Sequence, residues 1–242
     1  MAEQAIEDGR RARGDASRRI VLKSATDLAS VDGLDGLTIG RLADASGLSK
    51  SGIATLFRGK EGLQLATVEA ARRIFVARIV EPARGEPRGV RRLAALLRNA
   101  LGYSRDRVFR GGCFFAAAAA DVDSKPGPVR DAVQAALVDW YGYLQVQAVA
   151  AIRAGELTVD EGEAEVLAFQ LAALNEQANA RSLLLRDDRP YAVAAAAMRE
   201  ALRAAGAAPE QIAALRMDGP VATGAPDADG DDGDGPGVRT GS

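Results

Sequence analysis

Ile39-Gly40-Arg41-Leu42-Ala43-Asp44-Ala45-Ser46-Gly47-Leu48-Ser49-Lys50-Ser51-Gly52-Ile53-Ala54-Thr55-Leu56-Phe57 reads as two short helices around one glycine. Thr38 is placed to cap the first helix, Gly47 to end it at a positive φ, and Ser49 to open the second. Leu42, Leu48, Ile53 and Leu56 are the apolar positions that would hold the pair together. Ala43 falls at the crossing, where little larger than a methyl group fits. This is the pattern of a helix-turn-helix, and the plain alternative is an ordinary αα-hairpin.

Working outward, Ile20, Val21, Ala25, Leu28 and Ala29 recur at helical spacing and predict a helix to about Val31, with Asp15 or Ser17 as its N-cap and Gly33 and Gly36 as its stop. Residues 1–16 lack apolar periodicity and read as a flexible basic arm. Downstream, Leu63, Ala66, Ala70, Ile74 and Ile79 predict a longer helix from Lys60 to Val80, which Pro82 and Gly85 should break. Further helices are expected at about 88–105, 113–121, 127–154, 160–186 and 189–205, joined by short loops. The expected organisation is all-α: an arm (1–16), a three-helix unit with the helix-turn-helix (17–81), a helical bundle (88–206) and a disordered acidic tail (207–242).

Composition agrees with helices. Of 242 residues, 48% are apolar but only 5% aromatic, and alanine is abundant, which favours close-packed helices over strands. The chain has no histidine, which excludes serine triads, imidazole acid-base catalysis and His-ligated metals. Cys113 stands alone, so neither a disulfide nor a CxxC clamp is available. No nucleophile-base pair, paired catalytic carboxylates, phosphate loop or metal cluster is seen. No catalytic residue, metal or cofactor is therefore assigned, and a helical enzyme acting on an apolar substrate is a distant alternative. The polar start and the absence of a long uncharged apolar run predict a cytoplasmic protein with no membrane partner.

The net charge of −2 conceals an asymmetry. Residues 9–60 carry ten Arg or Lys against five Asp, netting +5, whereas residues 218–242 carry six Asp against one Arg, netting −5. A basic face around the helix-turn-helix suits a polyanion.

Leu37-Thr38-Ile39, Arg41-Leu42-Ala43, Gly47-Leu48-Ser49-Lys50, Phe57 and Lys60-Glu61-Gly62-Leu63 follow, in order and spacing, the N-terminal signature of the tetracycline-repressor (TetR) family. The chain resembles that family over about residues 18–65. The resemblance implies that the helix after the turn enters the major groove of double-stranded operator DNA, placing Ser49, Lys50, Ser51, Gly52 and Thr55 nearest bases and flanking phosphates. Lys50 has the chemistry to donate to guanine O6 and N7. Thr38 can offer a hydroxyl and a backbone N–H to a phosphate at a helix N-terminus. Lys60 resembles the family's phosphate-clamping lysine, and Arg41 is a further electrostatic candidate. The sequence departs from the family at Ala54, where most members carry a DNA-touching tyrosine, and at Leu56, where an aromatic is usual. Affinity would then lean on Lys50 and on Arg10, Arg11, Arg13, Arg18 and Arg19 reaching an adjacent minor groove.

A weaker resemblance to one subgroup continues through Leu65-Ala66-Thr67-Val68-Glu69-Ala70-Ala71 and Gly111-Gly112-Cys113-Phe114-Phe115. Cys113, Phe114, Trp140, Tyr143, Leu144, Asn175 and Asn179 are candidate ligand contacts, with a bundle core as the other use of the same residues. Leu167, Leu171, Leu174, Ala178 and Leu185 form a stripe beside Asn175, Asn179 and Ser182. The resemblance further implies a homodimer through the last two helices, with Ala192 to Ala197 allowing close approach, and a repressor released from a palindromic operator by an unknown small-molecule effector. The competing reading keeps the DNA and drops the effector: a constitutive DNA-binding dimer.

Overall fold

A computed structural model of the chain describes residues 2–217, with side chains from Gly14 onward. Among the described residues the secondary structure is helical, with no β-strand and one isolated bridge between Phe109 and Gly112. The helices are α1 (Ala2–Asp32), α2 (Ile39–Ser46), α3 (Lys50–Leu56), α4 (Gly59–Phe75), α5 (Val90–Arg105), α6 (Phe114–Val122), α7 (Pro128–Arg153), α8 (Ala164–Leu185) and α9 (Arg189–Ala204).

The expected arm is helical from Ala2. α1 begins at Ala2, so Asp15 and Ser17 lie inside it and cap nothing. Residues 2–13 have no apolar stripe to bury, but their Ala, Glu, Gln and Arg favour helix, and α1 extends backward through them. Within α1, Val21, Ala25 and Ala29 are fully buried as expected, but Leu22 joins them while Ile20 is 48% exposed.

α4 does not stop before Pro82. It runs on through a π-helical turn, Val76–Val80, and a short turn, Glu81–Ala83. Proline has no N–H to give, and the Glu81 N–H reaches back five residues to the Val76 carbonyl. The Asn99 amide donates to the Ile79 carbonyl at 3.1 Å beside this turn. The chain then reverses, and Glu156 accepts from the Val90 N–H at 2.8 Å to cap α5.

A continuous apolar core runs from Val21, Leu42 and Ile53 through Leu93, Leu96 and Leu101 to Leu171, Tyr191 and Met198. The start of the expected tail belongs to it: Ala207, Ile212 and Leu215 are buried, and Arg199 donates to the Leu215 carbonyl at 2.8 Å. The acidic charge sits farther along, and three apolar residues suffice to hold the preceding segment on α9. Residues 218–242 lie outside the described residues, as do the side chains of Arg10, Arg11 and Arg13. No described helix is long and apolar enough to cross a membrane.

Candidate nucleic-acid interface and ligand cavity

The α2–α3 pair is built by its caps. Thr38 is extended, and its hydroxyl accepts from the Arg41 N–H at 3.3 Å. Gly47 ends α2 at φ 70°, its N–H bonded to the Ala43 carbonyl at 2.9 Å. Ser49 opens α3, its hydroxyl accepting from the Gly52 N–H at 3.1 Å. Leu42 and Ile53 are buried between the helices, with Ala43, Leu48 and Leu56 packed against them. Arg18 clamps the pair to α1: its guanidinium donates to the Leu56 carbonyl at 2.8 Å and lies 4.6 Å from the centre of the Phe57 ring. Arg18, expected to reach DNA with the basic arm, is engaged in this clamp.

This leaves Lys50, Ser51, Gly52, Ala54 and Thr55 exposed on one side of α3. Among the described residues the Lys50 ammonium has no partner, whereas Thr55 donates to the Gly52 carbonyl at 2.8 Å. The other two basic candidates are engaged. Arg41 bonds the Asp32 carboxylate and the Gly36 carbonyl. Lys60 donates to the Asp35 carbonyl at 3.1 Å and stands 3.4 Å from its carboxylate. Asp35 also takes the Lys125 ammonium at 2.9 Å, the first cause of a carboxyl held below its usual acidity range, aided by Gln64 and Lys60. Lys125 reaches Asp121 as well, at 2.7 Å. The α1–α2 loop is thereby tied both to α4 and to the α6–α7 loop.

A cavity of about 650 Å³ opens between α4, α6, α7 and α8, within the range of small-molecule sites. The sequence-named Cys113, Trp140, Tyr143 and Asn175 line it. Phe114, Leu144 and Asn179 do not: Phe114 and Leu144 are fully buried core, and Asn179 is a structural bracket. Its Oδ1 accepts from the Cys113 N–H at 3.2 Å and lies 3.5 Å from the Tyr191 hydroxyl. Adjacent residues on a helix point about 100° apart, so in the Phe114-Phe115 pair one ring fills the core and Phe115 faces the cavity. The α4 contribution was unforeseen: Arg72, Phe75, Val76, Val80 and Arg84, around the π-helical turn, form one wall. A π-turn inserted beside a cavity is the kind of local signal that Pro82 in a helical pattern can raise but not place.

Two features polarise this cavity. Asn175 is 8% exposed and its Oδ1 has no partner. Tyr141 donates to Glu176 at 2.7 Å, and desolvation together with that carboxylate pushes its phenol up. Cys113 is half-buried, and desolvation raises its thiol above the ordinary cysteine range, so it is neutral at pH 7. Among the described residues no cluster of His, Cys, Asp and Glu is arranged to hold a metal ion.

Residues 89–198 match the family model described as "Tetracyclin repressor-like, C-terminal domain". The fold is similar to that of a TetR transcriptional regulator from Chloroflexus aurantiacus J-10-FL, with 26% identity, a TM-score of 0.71, and coverage of 79% of this chain and 95% of that one. It is also similar to a TetR-family transcriptional regulator from Streptomyces coelicolor, with 22% identity, a TM-score of 0.67, and coverage of 85% and 96%. AibR, solved in complex with isovaleryl coenzyme A and operator DNA, shares 18% identity and a TM-score of 0.58 over 67% of this chain and 85% of that one. No curated protein matches the chain.

Proposed function

Since this chain belongs to the tetracycline-repressor (TetR) family of transcriptional regulators, we propose that it is a homodimeric repressor that leaves a palindromic operator when a small molecule enters the cavity between α4, α6, α7 and α8. One observation carries this: a single helix connects the two ends. α4 carries Lys60 in its first turn beside the helix-turn-helix and ends at the π-helical turn that walls the cavity. A ligand pressing on Phe75, Val76 or Val80 shifts the same rigid body whose first turn holds the α1–α2 loop. The sidedness of α3 supports the rest, because among the described residues Lys50 has no partner on the face that also exposes Ser51 and Thr55.

Dimerisation is assigned to α8 and α9, where Val166, Phe169, Leu184 and Val193 are 58%, 74%, 83% and 48% exposed. The alanine run contributes less than its composition suggests, since Ala192, Ala194 and Ala195 are already buried within this chain. A two-fold dimer would set its α3 helices about 34–36 Å apart, one turn of DNA. Thr38, Ser49 and Gly52 present a hydroxyl or backbone N–H to phosphates, while Arg41 and Lys60 contact DNA at the expense of their bonds to Asp32 and Asp35.

The decisive experiment is fluorescence anisotropy on the duplex from the protein's own upstream region, at several salt concentrations. Wild type should bind with a steep salt dependence and sequence selectivity, and Lys50→Ala should lose selectivity by about 1–3 kcal/mol while still binding. Absence of selective binding to this duplex and to a random-sequence pool would remove the repressor reading.

A further inference from the structure

Resting on the reading that this cavity receives the effector, we propose that it selects a lipophilic cation, a hydrophobic or aromatic body with one positive charge set against Glu176. The walls are aromatic and small-apolar. Phe75 meets Trp140 edge-to-face at 5.1 Å and Phe115 at 5.7 Å, and Tyr143, Ala116 and Leu137 extend the surface. Such rings present negative faces to a cation as well as area to an apolar body.

The charges decide the class. Each arginine lining the cavity already has a carboxylate: Arg72 bonds Asp139 at 2.8 Å, and Arg84 bonds Glu81 at 2.9 Å. Glu176 has none. Among the described residues its one recorded partner is the Tyr141 hydroxyl, which orients the carboxylate without cancelling its charge. One negative charge is therefore left over at an aromatic-walled site. The neighbouring Asn175 adds a buried acceptor, Oδ1, that nothing among the described residues satisfies. An anionic ligand would meet repulsion from Glu176 and find both arginines occupied. A neutral ligand would gain the walls alone. A cation gains the walls, the ring faces and the carboxylate together.

Trp140 is the sole tryptophan in the chain and lines the cavity, so its emission reports occupancy. The full-length protein is titrated at fixed ionic strength with tetraphenylphosphonium, with tetraphenylborate as its anionic isostere, and with triphenylphosphine oxide as a neutral relative. The phosphonium should change Trp140 emission saturably and bind about tenfold or more tighter than the other two, as one charge interaction near a protein surface allows. Glu176→Gln, shown folded by its melting curve, should erase that advantage and leave the neutral probe unchanged. Tyr141→Phe, which keeps the carboxylate, should retain it. If the neutral or anionic probe binds as tightly as the phosphonium, or Glu176→Gln leaves the phosphonium affinity unchanged, the cation assignment is overturned and the effector-cavity reading stands. If no probe of any charge perturbs Trp140, both are overturned.

Discussion

Gly111 donates its backbone N–H to the Ser30 hydroxyl at 3.0 Å, and a Cβ on Gly111 would stand 1.8 Å from the Ser30 carbonyl oxygen. No side chain fits between α1 and the α5–α6 loop at this point. Arg110 reinforces the seam, its N–H and guanidinium both donating to Asp27, at 2.9 and 2.6 Å. The far side of the same loop is held by α8 and α9. Asn179 accepts from Cys113, and Arg107 donates to Ser182 at 2.8 Å and to the Tyr191 hydroxyl at 3.3 Å. A loop of eight residues thus links the helix that clamps the helix-turn-helix to the helices assigned to the dimer. Gly111→Ala should force α1 and the loop apart, lowering stability by about 1–3 kcal/mol, the usual cost of overpacking. Thermal unfolding checks this, with a fall in Tm of about 2–4 °C per kcal/mol for a chain of this size. An unchanged Tm would show that α1 is not docked here.

Asp35 binds two ammonium groups and the Gln64 amide from an exposed position, and its carboxyl is held below its ordinary range, first by Lys125. A depressed folded-state value means that the ionised form is favoured by folding. Its contribution is therefore present above the unfolded carboxyl range near pH 4 and is lost as pH falls through the lower folded value. Because the group is largely solvated, the loss is small, and its readout is local. Asp35→Asn should release Lys60 for a DNA phosphate. Non-specific DNA binding should strengthen, because Lys60 no longer gives up an ion pair to reach a phosphate. Unchanged affinity would mean that Lys60 makes no phosphate contact.

How much of this was legible in the sequence depends on what each residue answers to. Thr38, Gly47 and Ser49 obey local rules, a hydroxyl before a helix and a positive φ at a turn, and each stands where its type predicts. Helix existence past Pro128 was equally legible, because apolar spacing and Gly or Pro punctuation are local too. The cavity was only half legible. Trp140 and Tyr143 are three apart on α7 and share a face, but whether Phe114 or Phe115 joins them depends on how α6 is rotated against α4. Asn175 and Asn179 are one turn apart on α8 and look alike in sequence, yet one faces the cavity unpartnered while the other brackets the Cys113 amide. The pairing of Arg18 with Leu56 and of Lys60 with Asp35 depends on tertiary contact, so a sequence reading sees only their charge.

Cys113 gives a chemical readout of the cavity. Its thiol lines the space and is held protonated by desolvation, so it should react with a neutral-pH thiol reagent far more slowly than free cysteine. Reactivity should rise with pH later than for an exposed cysteine, because the thiolate forms only above the ordinary range. Saturating the cavity with a bound probe should slow modification further, whereas fast labelling unaffected by any probe would place the thiol outside the occupied space. Stopped-flow reaction with a chromogenic disulfide, with and without probe, measures both.

Phe169 and Leu184 are 74% and 83% exposed on α8, and Val166 on α8 and Val193 on α9 are 58% and 48% exposed. Leaving two large side chains in water forgoes roughly 1.5–3 kcal/mol each relative to burial. Exposed apolar groups this large, concentrated on one helix and its neighbour, are the signature of a covered face. Phe169→Glu should shift sedimentation from dimer to monomer and, by uncoupling the two α3 helices, reduce operator affinity far more than it alters the helical signal. A variant that stays dimeric with wild-type operator binding would move the interface off α8 and α9.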